Sequence, residues 1–407
     1  MSGLRLGIVG AASVLVVAGA IALDAAGGDD GGGGSGRPGP AVTDAVPEAP
    51  TTTAVPTTTT TTAPPRPASA GLRLVERRTI VADERTGPLS PKSIVASGTG
   101  VVYAQNMIYS HSVTAWDADG NHLATISDEV DLAAFGITGH PPGTVQGGPV
   151  ELAFSPDRAK AYTSNYSMYG PGFSRPGDDQ CSPSSGFDTS FVYRIDVASH
   201  AIDQVIPVGS VPKYVATTPD GRYVLVTNWC TYDLSVIDAA AGREVRRVPI
   251  GRYPRGIAVA PDSRTAYVAV MGGTEIVTID LATFAVGRFE GIGGGPRHVV
   301  ISPDGAFLYV TLNRDGRIAK VDAATGEVLA TVATGSAPRS MDIAADGQSL
   351  YVVNYESSTL SKVTTADMAE VQELATGHHP IGITYDPLTG RVWVACYSGE
   401  IEIFDDA

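Results

Sequence analysis

Lys92, Lys213, Arg255, Arg297 and Arg339 each stand directly after a proline, and the last four recur at intervals of 42 residues. The two remaining equivalents, Val150 after Pro149 and Ile381 after Pro380, are apolar. This basic series runs against the chain as a whole, which has 28 Lys plus Arg, 43 Asp plus Glu and a formal net charge of −15. Cations brought to one place focus potential and attract an anion. Arginine adds paired donors that match carboxylate or phosphate. The opposing reading is that each cation meets a nearby carboxylate, a structural ion pair copied from repeat to repeat. A second series, Met107, Tyr166, Trp229, Met271, Asn313, Tyr355 and Tyr397, follows a short apolar run in each repeat. Aromatic rings with polar tips suit either a ligand floor or a cap over a core.

Other chemistry is sparse. His298 follows Arg297 directly and has the side chain for an acid, a base or a metal ligand. The seven histidines show no metal-ligand spacing, and no metal or cofactor is expected. Asp178-Asp179 offers two acids, too few to define a Ca²⁺ loop. No phosphate-cradling Gly-Lys loop, nucleophile elbow or Cys-x-x-Cys is present. The acidic balance argues against nucleic acid as a partner.

The elements that must position these residues come from self-similarity. Ser302-Pro303-Asp304-Gly305 leads into Leu308-Tyr309-Val310-Thr311, and Thr218-Pro219-Asp220-Gly221 into Val224-Leu225-Val226-Thr227-Asn228. Further copies run through Ser155-Pro156-Asp157, Ala260-Pro261-Asp262 and Ala345-Asp346-Gly347, with degenerate copies at Tyr103 and Trp393. From Leu225 through Tyr267, Tyr309 and Tyr351 to Trp393 the register is 42 residues. Each copy holds about four alternating apolar runs, which is the sheet of a propeller blade. The expected fold is all-β: seven four-stranded antiparallel blades over residues 71–407. Leu72–Val81 is a lone strand, and the last copy lacks its fourth, so this strand is expected to complete the final blade and close the ring.

These repeats resemble the YVTN-repeat β-propellers, a family of surface-layer and extracytoplasmic proteins. The resemblance implies the propeller fold. It leaves function open, because such propellers host adhesion, ligand binding and several enzyme chemistries. Propeller lactonases and lyases of similar appearance use Arg and His around the channel.

Strand parity turns the repeat into faces. Pro-Asp-Gly turns lie between first and second strands on one face. Two long insertions, at about residues 127–148 and 166–190, fall on the other face with the basic series, which should ring one mouth of the central channel. Cys181, in the second insertion, and Cys230, beside Trp229, should meet there in a disulfide that leaves Cys396 buried and free. Residues 1–26 include 18 uncharged residues from Leu6 to Leu23, either a signal peptide or a membrane anchor. Residues 27–70 are Gly-rich, then Pro/Thr-rich, with ten Thr and eight Pro between Arg37 and Ala70. That composition makes a disordered spacer. The functional expectation is an extracytoplasmic binding or scaffold module, anchored by its N-terminal segment or secreted if that is cleaved. Its ligand would be a small anion, or an acidic group on a cell-envelope polymer or protein. Lys92, Lys213, Arg255, Arg297, His298, Arg339, Tyr166, Trp229 and Tyr355 would hold it. The alternative is a lactonase, hydrolase or lyase, with Arg297 stabilising an oxyanion and His298 or His378 moving the proton.

Overall fold

The computed structural model describes residues 66–407. The N-terminal segment 1–26 and the linker up to residue 65 lie outside the described residues. No helix among the described residues is long and apolar enough to cross a membrane.

Seven four-stranded antiparallel sheets follow one another around the ring. Their innermost strands are Pro91–Ala96, Pro149–Phe154, Pro212–Thr217, Pro254–Val259, Pro296–Ile301, Pro338–Ile343 and Pro380–Asp386. A proline opens every one of them. Its fixed φ and missing N–H are tolerated there because a strand's first residue can forgo a ladder bond. The second strands are rich in apolar residues, and with the first and third they build the cores between blades: Leu225, Val236, Ile257, Val268 and Val277 form part of one. Leu308, Val310, Ala319 and Val321 form part of another.

The turn face is built from self-contained units. In Ser302-Pro303-Asp304-Gly305, the Ser302 hydroxyl donates to Asp304 (2.5 Å), whose carboxylate accepts from Ala306 N (3.0 Å). Gly305 sits at φ +76°, and a Cβ there would press on Pro261 of the preceding blade at 3.1 Å. Gly347 is packed the same way on Pro303. Each turn therefore seats on its neighbour, and Asp and Gly recur for geometry rather than chemistry.

Closure follows the sequence expectation. Leu74–Ile80 pairs antiparallel with Ile401–Asp406, from Leu74 opposite Asp406 to Ile80 opposite Ile401. Contacts with the propeller body begin ahead of the expected start at Gly71, with Arg66 donating to Leu388 O (3.5 Å). Ser69 is buried and donates through N and Oγ to Asp346, both at 2.7 Å. Across this seam lies a buried ion pair with no counterpart in the sequence reading. Lys362 Nζ donates to Asp406 Oδ1 (2.5 Å), Ser69 O (2.7 Å) and Leu72 O (2.9 Å). Tyr351 Oη donates to the other Asp406 oxygen at 2.5 Å.

The two insertions join into one rim. Glu129–Asp131 and Thr144–Gln146 form a small hairpin, and Gln146 exchanges backbone hydrogen bonds with Tyr169 of the second insertion (2.8 and 2.7 Å). Val130, Leu132, Val145 and Met168 bury a shared apolar cluster beneath them.

Candidate functional site

The first residue after each opening proline begins the channel wall, so the basic series converges at one mouth. Lys213, Arg255 and Arg297 are buried, at 3%, 9% and 5% exposure, while Lys92 and Arg339 are half-buried. Their mutual influence records the convergence. Burial, then the charges of Lys213, Arg255, Arg297 and Arg339, pushes the Lys92 ammonium well below the usual lysine range. Burial brings Lys213 down to about 7 although Asp179 supports its charge and Arg255 opposes it. Arg255 and Arg297 are likewise lowered, first by burial and then by each other or by Arg339.

What holds these cations is mostly aromatic. Lys213 Nζ lies 4.3 Å from the Tyr166 ring centroid and 5.3 Å from that of Trp229. The Arg339 guanidinium stacks 3.4 Å over Tyr355. Lys92 Nζ donates to Tyr397 Oη at 3.0 Å, and Arg297 Nη1 lies 3.9 Å from Met271 Sδ. The residues after the second strands thus pack directly against the cations of the first, within a blade or across to the next. Ring faces carry negative potential and accept a cation without neutralising it.

Carboxylates are scarce here. Among the described residues only Lys213 of the five forms an ion pair, with Asp179 Oδ1 at 2.6 Å. Asp179 also accepts from Tyr166 Oη at 3.0 Å. Burial opposes its ionisation, but Lys213 and the Tyr166 hydroxyl outweigh that and hold the carboxyl far below the usual range. Asp179 is therefore a partner for a lysine, not the start of a Ca²⁺ loop. Repeat-to-repeat ion pairing of the basic series does not occur. The Nε atoms of Arg297 and Arg339 are buried without a hydrogen-bond partner.

The insertion that carries Asp179 is fixed by Cys181, joined to Cys230 with a Cα–Cα distance of 5.4 Å. Trp229 Nε1 donates to Asp179 O (2.9 Å), and Tyr232 Oη to Cys181 O (2.7 Å). Cys396 is buried and free.

One residue further along the innermost strands is a second course that the sequence reading passed over, His298 excepted. Ser93, Glu151, Tyr214, His298 and Ser340 line a cavity of about 440 Å³ that runs down the channel to Asp342, Thr384 and Arg158 on the turn side. His298 belongs to this cavity and not to the mouth. Its Nε2 lies 3.3 Å from Tyr214 Oη, and burial followed by the charges of Arg297 and Arg255 depresses it to about 3, so it is neutral. Burial raises Glu151 to about 7 against a Ser93 hydrogen bond and the charges of Arg255 and Lys92, and raises Asp342 to about 6. The signal for Glu151 and Tyr214 was their place two residues after an opening proline, one position beyond the basic series. His378 forms the outer layer of a stack, 3.6 Å from His379, which lies 4.1 Å from Tyr355.

Residues 181–346, from the second insertion to the sixth blade, match the family model of YNCE-like beta-propellers. Among solved structures, hydrazine synthase from Kuenenia stuttgartiensis is similar at a TM-score of 0.62 and 18% identity, covering 80% of this chain and 98% of that one. The WD40 beta-propeller domain of Doa1 is similar at a TM-score of 0.62 and 14% identity, covering 83% and 98%. At such identities these likenesses concern the fold alone. No curated protein matches the chain. Repeat register, ring and family match agree on the fold: this is a seven-bladed β-propeller whose residues 181–346 are similar to the YNCE-like beta-propellers.

Proposed function

We propose that this propeller is an extracytoplasmic binding module that takes an anionic ligand at the channel mouth, tethered to the membrane by its N-terminal segment or secreted. One observation carries the reading. Five cations converge on the mouth, and among the described residues only one of them, Lys213, is paired with a carboxylate. Burying a charge without a partner is expensive, and a fold normally supplies that partner itself. A ligand carboxylate or phosphate bound by Arg255, Arg297 and Arg339 would satisfy the donors that the chain leaves free. The Cys181–Cys230 bridge supports an oxidising compartment.

Binding is favoured over turnover. His298 is neutral and bonded to Tyr214 in the cavity below, and His378 is stacked on His379 at the rim. The proton carriers expected of a lactonase or lyase are therefore engaged elsewhere. Calorimetric titration of the full chain with sugar acids, short acidic peptides, phosphates and a polyuronate tests the reading. Saturable binding of an acid that Arg297→Met weakens at least about tenfold is expected. Anion binding indifferent to Arg297→Met would overturn it.

A further inference from the structure

Among the described residues Asp179 is the acid that forms an ion pair with the basic series, and its two oxygens are used unequally. Oδ1 accepts from both Lys213 Nζ (2.6 Å) and Tyr166 Oη (3.0 Å). Oδ2 has no hydrogen-bond partner among the described residues, and the carboxylate side chain is 67% exposed. This acid does not stand apart at the edge of the third blade. Its charge is felt by Arg255, Arg297 and Arg339 across the mouth.

Nor is it a mobile flap. The backbone on either side is held by Trp229 Nε1 on Asp179 O, Tyr232 Oη on Cys181 O and Gly177 N on Ser167 Oγ (2.8 Å), in addition to the disulfide. A carboxylate fixed in this way stays when a ligand arrives. The mouth then presents two unlike features side by side: guanidinium donors, including the buried orphan Arg297 Nε, and one open carboxylate oxygen. A simple anion satisfies the donors but sets its own charge against Asp179. A dianion does so twice over. An acid that carries a hydroxyl or ammonium beside its carboxylate satisfies both features at once.

Resting on the anion-site reading above, we propose that Asp179 is a specificity-determining residue. It selects small carboxylic acids with an adjacent hydrogen-bond donor, α-hydroxy or α-amino acids, over plain carboxylates and polyvalent anions. The Tyr166–Ser190 insertion, which has no counterpart in the other blades, is the device that places it. Natural ligands of this chemistry include free hydroxy acids, free amino acids and the ends of polymers that carry them.

The test compares four probes of similar size on the full, disulfide-intact chain: propionate, lactate, alanine and malonate, each titrated to saturation. Wild type is expected to bind lactate or alanine at least about tenfold more tightly than propionate, and malonate no better than propionate. Which of lactate and alanine binds more tightly identifies hydroxyl or ammonium as the donor. Asp179→Asn preserves shape while removing charge, and should compress the preference. Asp179→Ala should abolish it while strengthening propionate and malonate. Unfolding temperature and an intact-mass check of the disulfide establish that each variant is folded. If Arg297→Met abolishes propionate binding but both Asp179 variants keep the wild-type preference, this proposal fails while the mouth reading stands. If wild type prefers malonate, it fails likewise. If none of the four acids binds wild type, this proposal fails, and the mouth reading is decided by the wider anion panel above.

Discussion

Two regions of this propeller bury cations, and they treat them in opposite ways. At the closure seam Lys362 is fully buried, and its ammonium is met by Asp406 and two backbone carbonyls, while Tyr351 completes the carboxylate. At the mouth Arg297 is nearly as buried, yet its Nε has no partner among the described residues and the charges that weigh most on it are those of Arg255 and Arg339. One chain thus contains a finished buried ion pair and an unfinished cationic ring. The seam shows that the fold can supply a counter-charge where a cation serves stability. Its scarcity at the mouth is what supports the proposal that a ligand supplies it there.

The comparison breaks most visibly in stability. Lys362→Ala leaves Asp406 buried opposite no cation, beside the strand that closes the ring, and should cost about 3–5 kcal/mol in denaturant unfolding. Cys181→Ser releases a cross-link spanning 49 residues and should cost about 2–4 kcal/mol in the same measurement. Arg297→Met should go the other way. Replacing an unpartnered buried charge among like charges with an apolar side chain leaves the unliganded protein as stable or more so, while it loses acid binding. An Arg297→Met variant as destabilised as Lys362→Ala would erase the distinction between the two regions.

A subtler contrast is in pH. Lys213 is lowered to about 7 from the ordinary lysine value of 10.5. The unfolded chain then binds the extra proton between those values, and this group makes unliganded stability rise with pH from about 7 upward. Glu151, raised from 4.5 to about 7, binds its proton more tightly when folded. Its contribution is full below about 4.5 and is lost as pH rises to about 7. Acid binding needs the lysine charged and gains when Glu151 is neutral, so affinity should fall severalfold between pH 6 and pH 8 in calorimetric titrations. At the seam burial also lowers Lys362, but Asp406 supports its charge there. Affinity that is flat or rising across this range would contradict the assignment.

Much of this was legible in the chain, for identifiable reasons. A 42-residue register and Pro-Asp-Gly turns specify blade, strand parity and face together, because every copy must seat on its neighbour as Gly305 does on Pro261. Leu74–Ile80 was legible as the closing strand because the last blade was one strand short. The mouth cations were legible by position but not by pairing. Pairing depends on the Tyr166–Ser190 insertion, which belongs to no repeat, so nothing in the register says that Asp179 reaches Lys213. His298 was assigned to the mouth by its place next to Arg297, yet consecutive residues here occupy successive courses of the channel, and it lies in the lower one with Glu151 and Tyr214. Lys362 and Asp406 were invisible for a similar reason: they are 44 residues apart on neighbouring blades, and nothing in the register says that they meet.

The most direct measurement is thermal unfolding of the full chain and of Arg297→Met, each with and without a saturating acid that binds wild type. The expected result is a ligand-induced rise in wild type and none in the variant, whose unliganded midpoint equals or exceeds that of wild type. A variant midpoint far below wild type, with the same ligand-induced rise in both proteins, would mean that Arg297 serves the fold and that the acid binds elsewhere.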